Sequence, residues 1–279
     1  MFRVATCASL VVWLCAAAIR ADQIATLSPS QDNTLIEDID PNAQLSNGEG
    51  DIYVGCTAGK AGILPIRRGL MEFDIADSGI PANATITGAT LTLCDVQGLN
   101  GNQTVGLYPV LQPWGQGTSY FSGGQGAPAT QNDATWLYTF YNAANPANST
   151  PWTTPGGSFG STASATTVVV ATSPVTGQLF SWSSPQMVAD LQGWLDGASP
   201  NYGWGILGNE TANQTAKRFV SPDSASLDTA PANVPPSLVI SYTVPEPGTA
   251  LLAVAAAAAI GAWGTGRRLS RSAIDGSYR

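Results

Sequence analysis

Histidine is absent from all 279 residues. Without it there is no Ser-His-Asp or Cys-His nucleophile and no zinc, copper or non-haem iron site that needs an imidazole. Charge is scarce as well: 11% of residues are Asp, Glu, Lys or Arg, against about 25% in ordinary soluble domains. Surface polarity must therefore rest on Ser, Thr, Asn, Gln and Gly. Bases are the scarcest of the charged residues. Between residues 22 and 244 there are five (Lys60, Arg67, Arg68, Lys217, Arg218) against seventeen acids, a net of −12, which argues against nucleic acid and anionic membrane surfaces as partners. Long apolar runs are confined to the two ends of the chain.

Those ends read as addresses. Arg3 precedes an uncharged run from Val4 to Ile19, with small residues Ala16, Ala17, Ala18 and Ala21 near its close. This is the order of a secretory signal peptide, residues 1–21. At the far end Pro245, Glu246 and Pro247 precede an uncharged stretch from Pro247 to Gly266, followed by Arg267, Arg268 and Arg271. As a helix that stretch would extend about 30 Å, enough to cross a bilayer, with the arginines on the cytoplasmic side. The order Pro-Glu-Pro, single span, arginine cluster over residues 245–279 resembles the PEP-CTERM sorting signal of Gram-negative bacteria. The resemblance implies an exosortase as partner, transient anchoring in the inner membrane, removal of the helix, and release to the cell surface or into extracellular polysaccharide.

Export leaves two cysteines in the body, Cys56 and Cys94. An oxidising compartment suggests one disulfide between them, worth about 2–4 kcal/mol, with two buried thiols as the alternative. The five Asn-x-Ser/Thr sequons read as by-products of an Asn- and Thr-rich surface.

Residues 22–244 read as one all-β domain. Short β-branched and aromatic runs alternate with Gly, Pro, Asn and Ser clusters, the pattern of antiparallel strands. The expected strands are 33–37, 52–55, 69–75, 84–94, 104–110, 136–141, 166–171, 178–182, 204–208, 217–221 and 237–243. One helix is expected: Ser184 as N-cap, Pro185 at the first helical position, one apolar stripe of Met187, Val188, Leu191, Trp194 and Leu195, and Gly197 as the stop. Its expected task is to cover an open end or edge of the core. From Gln112 to Pro174 the chain is loop-like and glycine-rich, yet interleaved with Trp114, Tyr120, Phe121, Trp136, Tyr138, Tyr141 and Trp152. A disordered linker would lack such aromatics.

The order of short motifs resembles the DNRLRE domain family, relatives of a methanogen disaggregatase repeat and of a class of carbohydrate-binding modules. The resemblance runs from about residue 30 to 243. It is carried by Asp32-Asn33-Thr34-Leu35-Ile36, Ile52-Tyr53-Val54-Gly55, Arg68-Gly69-Leu70-Met71-Glu72-Phe73-Asp74, Ala89-Thr90-Leu91-Thr92-Leu93, Asn201-Tyr202-Gly203-Trp204-Gly205, Arg218-Phe219 and Pro236-Ser237-Leu238-Val239-Ile240. It implies an antiparallel β-sandwich, jelly-roll-like, serving as an accessory or surface module, with some relatives binding acidic polysaccharide. Two positions depart from the pattern: Glu72 stands where many relatives carry a base, and Ser221-Pro222-Asp223 replaces a Ser-x-Glu. Both acids disfavour anionic sugars.

A sugar site needs exposed aromatic platforms flanked by hydrogen-bonding side chains. Trp114, Tyr120, Trp136 and Trp152 are the candidates, with Tyr120 and Trp152 expected to be the most exposed because glycine or proline neighbours place them on loops. Hydrolysis would need paired carboxylates. Glu72 and Asp74 would share a strand face, but with Arg68 on that face too an ion-paired cluster is the expectation. Arg68 and Arg218 are each expected to pair with a carboxylate. Glu37, Asp38, Asp40, Glu49 and Asp51 crowd enough hard oxygens together to suggest structural Ca²⁺ as the one cofactor to weigh against a solvated acidic loop. Three functions compete: a non-catalytic, polysaccharide-associated surface or matrix protein; a purely structural biofilm component; and a polysaccharide-cleaving enzyme.

Overall fold

Alternation along the chain produces fifteen strands among the described residues, and every pairing is antiparallel. The computed structural model describes residues 22–40, 42–59, 65–97, 101–171, 177–227 and 234–245. The strands are β1 (Asp22–Leu27), β2 (Gln31–Ile36), β3 (Leu45–Ser46), β4 (Ile52–Cys56), β5 (Ile66–Glu72), β6 (Thr85–Gln97), β7 (Gln103–Pro109) and β8 (Ala127–Pro128). They continue through β9 (Tyr138–Phe140), β10 (Thr150–Pro151), β11 (Ala165–Val169), β12 (Gln178–Trp182), β13 (Trp204–Leu207), β14 (Lys217–Phe219) and β15 (Ser237–Thr243). Two helices, α1 (Pro185–Leu195) and α2 (Pro222–Leu227), complete the described elements, with one 3₁₀ turn at Pro146–Asn148. The described residues are thus mostly antiparallel β-sheet, consistent with the expected all-β class. Asp22–Thr243 forms one compact unit.

β6 organises the first group of strands. One of its edges carries β12, the other carries β15 and then β14; β1 extends β15 and β4 extends β14. In the second group β5 lies between β2 and β13, and β7 and β11 follow β13. Gly55 and Cys56 at the end of β4 pair with β5 and join the two groups. Met71, Trp204, Ile206, Leu107 and Val105 are all buried on one face of the second group. The buried Trp182 of β12 reaches that group, its Nε1 donating to the Val105 carbonyl at 2.9 Å.

Ile86 falls out of phase with Ala89, Leu91 and Leu93, yet all four are buried. The cause is a register shift in which Ser241 faces Gly88 but Tyr242 faces Ile86. The extra residue is a bulge, and it turns the strand so that both halves bury their apolar side chains.

α1 forms as its sequence dictates. Ser184 accepts from the Met187 amide at 3.0 Å, Pro185 opens the helix, Met187 and Leu191 are buried, and Gly197 adopts φ +68° beyond the end. Trp194 packs on Trp204 with ring centroids 4.7 Å apart.

The glycine-rich insertion folds back over the outer face of the second group. There Leu35 and Leu70 meet Val110, Trp114, Ala134 and Trp152, with Trp136, Phe159 and Tyr202 packed against them. Gly205 permits this close approach, since a Cβ there would stand 2.3 Å from the Phe159 ring. The segment that resembled a loop therefore has a small core of its own, built from the aromatics that set it apart from a linker.

The expected disulfide is not formed. Cys56 on β4 and Cys94 on β6 are separate buried thiols. β14 lies between their strands, and two strand spacings of about 4.8 Å already exceed the roughly 7 Å over which Cα atoms can be bridged.

The expected signal peptide, and Glu246, Pro247, Arg267 and Arg268 of the expected sorting tail, lie outside the described residues; Pro245 is described and exposed. No helix among the described residues is long and apolar enough to cross a membrane.

Candidate functional site

Register across three neighbouring strands sets Tyr53 opposite Arg218, and Arg218 opposite Gln97. Directly opposed residues of an antiparallel ladder point to the same face, so a Tyr–Arg–Gln row crosses β4, β14 and β6. A second shift, between Arg218 and Phe219, makes Gln97 rather than Val96 the end of that row. The row floors a cavity of about 370 Å³ whose walls include Thr57, Gln125 and Gln214.

The insertion supplies one wall. Tyr53 hydroxyl donates to the Ser122 carbonyl at 3.2 Å. Gly124 rests on the Tyr53 ring, where a Cβ would stand 3.0 Å from the ring and 3.2 Å from Thr57 Cγ2. The Gly124 carbonyl accepts from Nε of the buried Arg67, and Nη1 of the same guanidinium donates to the Glu37 and Ile66 carbonyls at 2.8 Å each. Tyr120 is 50% exposed and Phe121 42%.

Charge in this region is tightly compensated. Arg218 Nε donates to Asp51 Oδ2, and Ser224 hydroxyl donates to the other Asp51 oxygen. Burial opposes the Arg218 charge and Asp51 more than restores it, so its pKa is raised. Burial pushes the Tyr53 phenol up to about 12, partly opposed by Arg218. Asp32, fully buried, has its carboxyl raised well above the usual range by burial first, then by Asp223 and Asp51. Its Oδ1 has no hydrogen-bond partner among the described residues.

Tyr120 is the one candidate platform that stands in solvent as expected. Trp152 does not: it is 4% exposed, and its Nε1 donates to the Thr135 carbonyl at 2.9 Å. Trp114 is buried too, donating to the Tyr202 carbonyl. Trp136 is half-buried with the Arg68 guanidinium 4.9 Å from its ring centroid. These three tryptophans build the insertion's core instead of an open platform, because covering the outer sheet face requires large apolar side chains.

Both arginine pairings hold, with partners far away in sequence. Arg68 grips Glu210 through two bonds of 2.7 and 2.8 Å. It lines a second cavity of about 480 Å³ with Gln112, Thr153, Ser158 and Leu207. The Glu72–Asp74–Arg68 cluster is not made. Glu72 accepts from Gln31 Nε2 at 2.8 Å, and burial raises its pKa. Asp74 lies beyond the end of β5 and caps the Asp77 amide.

The acidic segment disperses. Asp38 and Asp40 each accept a backbone amide two residues on, Glu37 accepts the Ile66 amide, Glu49 is half-buried, and Asp51 is taken by Arg218 and Ser224. Among the described residues no three acidic or cysteine side chains come together in a group that could hold a metal ion.

No protein-family model matches the chain, and no curated protein matches it. The cavity floor escaped the sequence reading because its three members lie on strands whose adjacency is set by long-range pairing. Of the residues in this region, Tyr120 is legible as a candidate platform, Tyr53 as part of a motif, and Arg218 as part of a motif and as a base expected to pair with a carboxylate.

Proposed function

We propose that this chain is an exported, non-catalytic cell-surface or extracellular-matrix protein that associates with polysaccharide through the Tyr53–Arg218–Gln97 cavity. In this reading the two antiparallel groups form a jelly-roll-like sandwich of the DNRLRE type, residues 1–21 direct export, and residues 245–279 are a PEP-CTERM tail processed by an exosortase. The observation that carries the reading is the cavity itself: hydrogen-bonding amides and a guanidinium at its floor and walls, with two exposed aromatic rings, Tyr120 and Phe121, close by in sequence to its glycine wall. Sugars need that combination, a ring for their C–H face and amides for their hydroxyls.

The test is retention of the purified full-length chain on a panel of immobilised neutral and acidic polysaccharides, beside a Tyr120→Ala variant. Retention that weakens in the variant supports the reading; no retention on any polymer overturns it. Export and release are tested separately, by mass spectrometry of the product at the cell surface. A form that ends before the arginine cluster is expected, and an intact product held in the inner membrane contradicts the sorting proposal.

A further inference from the structure

We infer that the Tyr53–Arg218–Gln97 cavity takes neutral, hydroxyl-rich saccharide and discriminates against uronates; this rests on the polysaccharide reading above and narrows its ligand.

Among the described residues three cations lie in or beside it, and each is committed. Lys217 is 1% exposed, and its Nζ donates to the Gly101 and Val170 carbonyls at 3.0 and 2.7 Å. Arg67 is spent on three backbone carbonyls. Arg218 has its charge matched by the buried Asp51. A uronate carboxylate seeks a charge-assisted partner. Among the described residues it would find none uncompensated, and Asp51 stands behind the one guanidinium they offer. The net charge of −12 over residues 22–244 adds a long-range term of the same sign.

The open groups are of another kind. Gln97 and Gln125 are exposed, and their side-chain amides make no hydrogen bond to the described protein. Among the described residues Arg218 is bonded only through Nε, which leaves its two amino groups to lone pairs. An amide offers an acceptor and a donor side by side, which matches adjacent sugar hydroxyls, each both donor and acceptor. Such a set discriminates by hydroxyl arrangement, not by charge.

The experiment measures retention of the full-length chain on neutral polymers (dextran, galactomannan) and polyuronates (alginate, polygalacturonate) at low salt. Wild type is compared with Gln97→Ala and Gln125→Ala. Both glutamines are exposed, so melting temperatures should match wild type. The expected result is retention on a neutral polymer, at least about tenfold weaker on polyuronates, and reduced about three- to tenfold by each substitution. Polyuronate retention equal to or stronger than neutral retention overturns this inference while leaving the polysaccharide reading standing. Neutral retention that survives both substitutions overturns the cavity as the site. Absence of retention on every polymer removes the underlying reading, and the inference with it.

Discussion

Replacing Trp152 by Ala separates a folding role from a binding role, and the structure fixes the expected size of the effect. The side chain is 4% exposed within a cluster containing Leu35, Leu70 and Trp114. Deleting a buried tryptophan costs about 3–5 kcal/mol in lost transfer energy and residual cavity. The Thr135 carbonyl would also lose the indole donor at 2.9 Å, adding about 1 kcal/mol. For a domain of this size each kcal/mol lowers Tm by about 2–4 °C, so a fall of roughly 8–24 °C is expected. Tyr120→Ala, at a half-exposed ring, should cost less than about 1 kcal/mol and weaken polysaccharide retention. Far-UV circular dichroism during heating measures both. A Trp152→Ala protein that melts like wild type yet loses retention would refute the assignment of this tryptophan to the core.

Further outcomes follow from single contacts. Ser184→Ala removes the cap on the Met187 amide and should destabilise by about 1 kcal/mol in a urea titration. Arg218→Ala strands the buried Asp51 carboxylate and should cost about 2–4 kcal/mol, with Arg218→Lys recovering part of that loss; an unchanged urea midpoint in the alanine variant would show that the pair adds nothing. Tyr53, raised to about 12 by burial, contributes stability that is complete below about pH 10 and is lost as pH rises from there through 12. Alkaline unfolding in that window should therefore be delayed in Tyr53→Phe. Asp32, also raised by burial, follows the same sign: its contribution is present below about pH 4 and is lost as pH rises above it. Asp32→Asn should accordingly gain stability relative to wild type at pH 8 and not at pH 4, as read by Tm at the two values.

Local pattern carried much of the architecture. β12 and β15 begin and end where their alternation does, and α1 is bounded by the Ser184 cap and Gly197 because capping and left-handed backbone are properties of a few adjacent residues. β1 was missed because Asp22–Leu27 lacks a buried face of its own and is held by pairing with β15. α2 was missed because six residues are too few for an apolar period to be legible. Composition likewise fixed the absence of imidazole chemistry and the excess of acids.

What the sequence could not specify is which face each large side chain meets. Tyr120 and Trp152 sit in similar glycine- and proline-rich surroundings, yet one stands in solvent and the other fills the space above Leu35 and Leu70. The difference arises from how the insertion folds over a sheet whose strands come from distant parts of the chain. The same holds for Arg68 with Glu210, Arg218 with Asp51, and the separation of Cys56 from Cys94 by β14. Alternation within a strand is a two-residue property, but register between strands is settled by the summed packing of the whole core. Only the assembled tertiary structure could decide it.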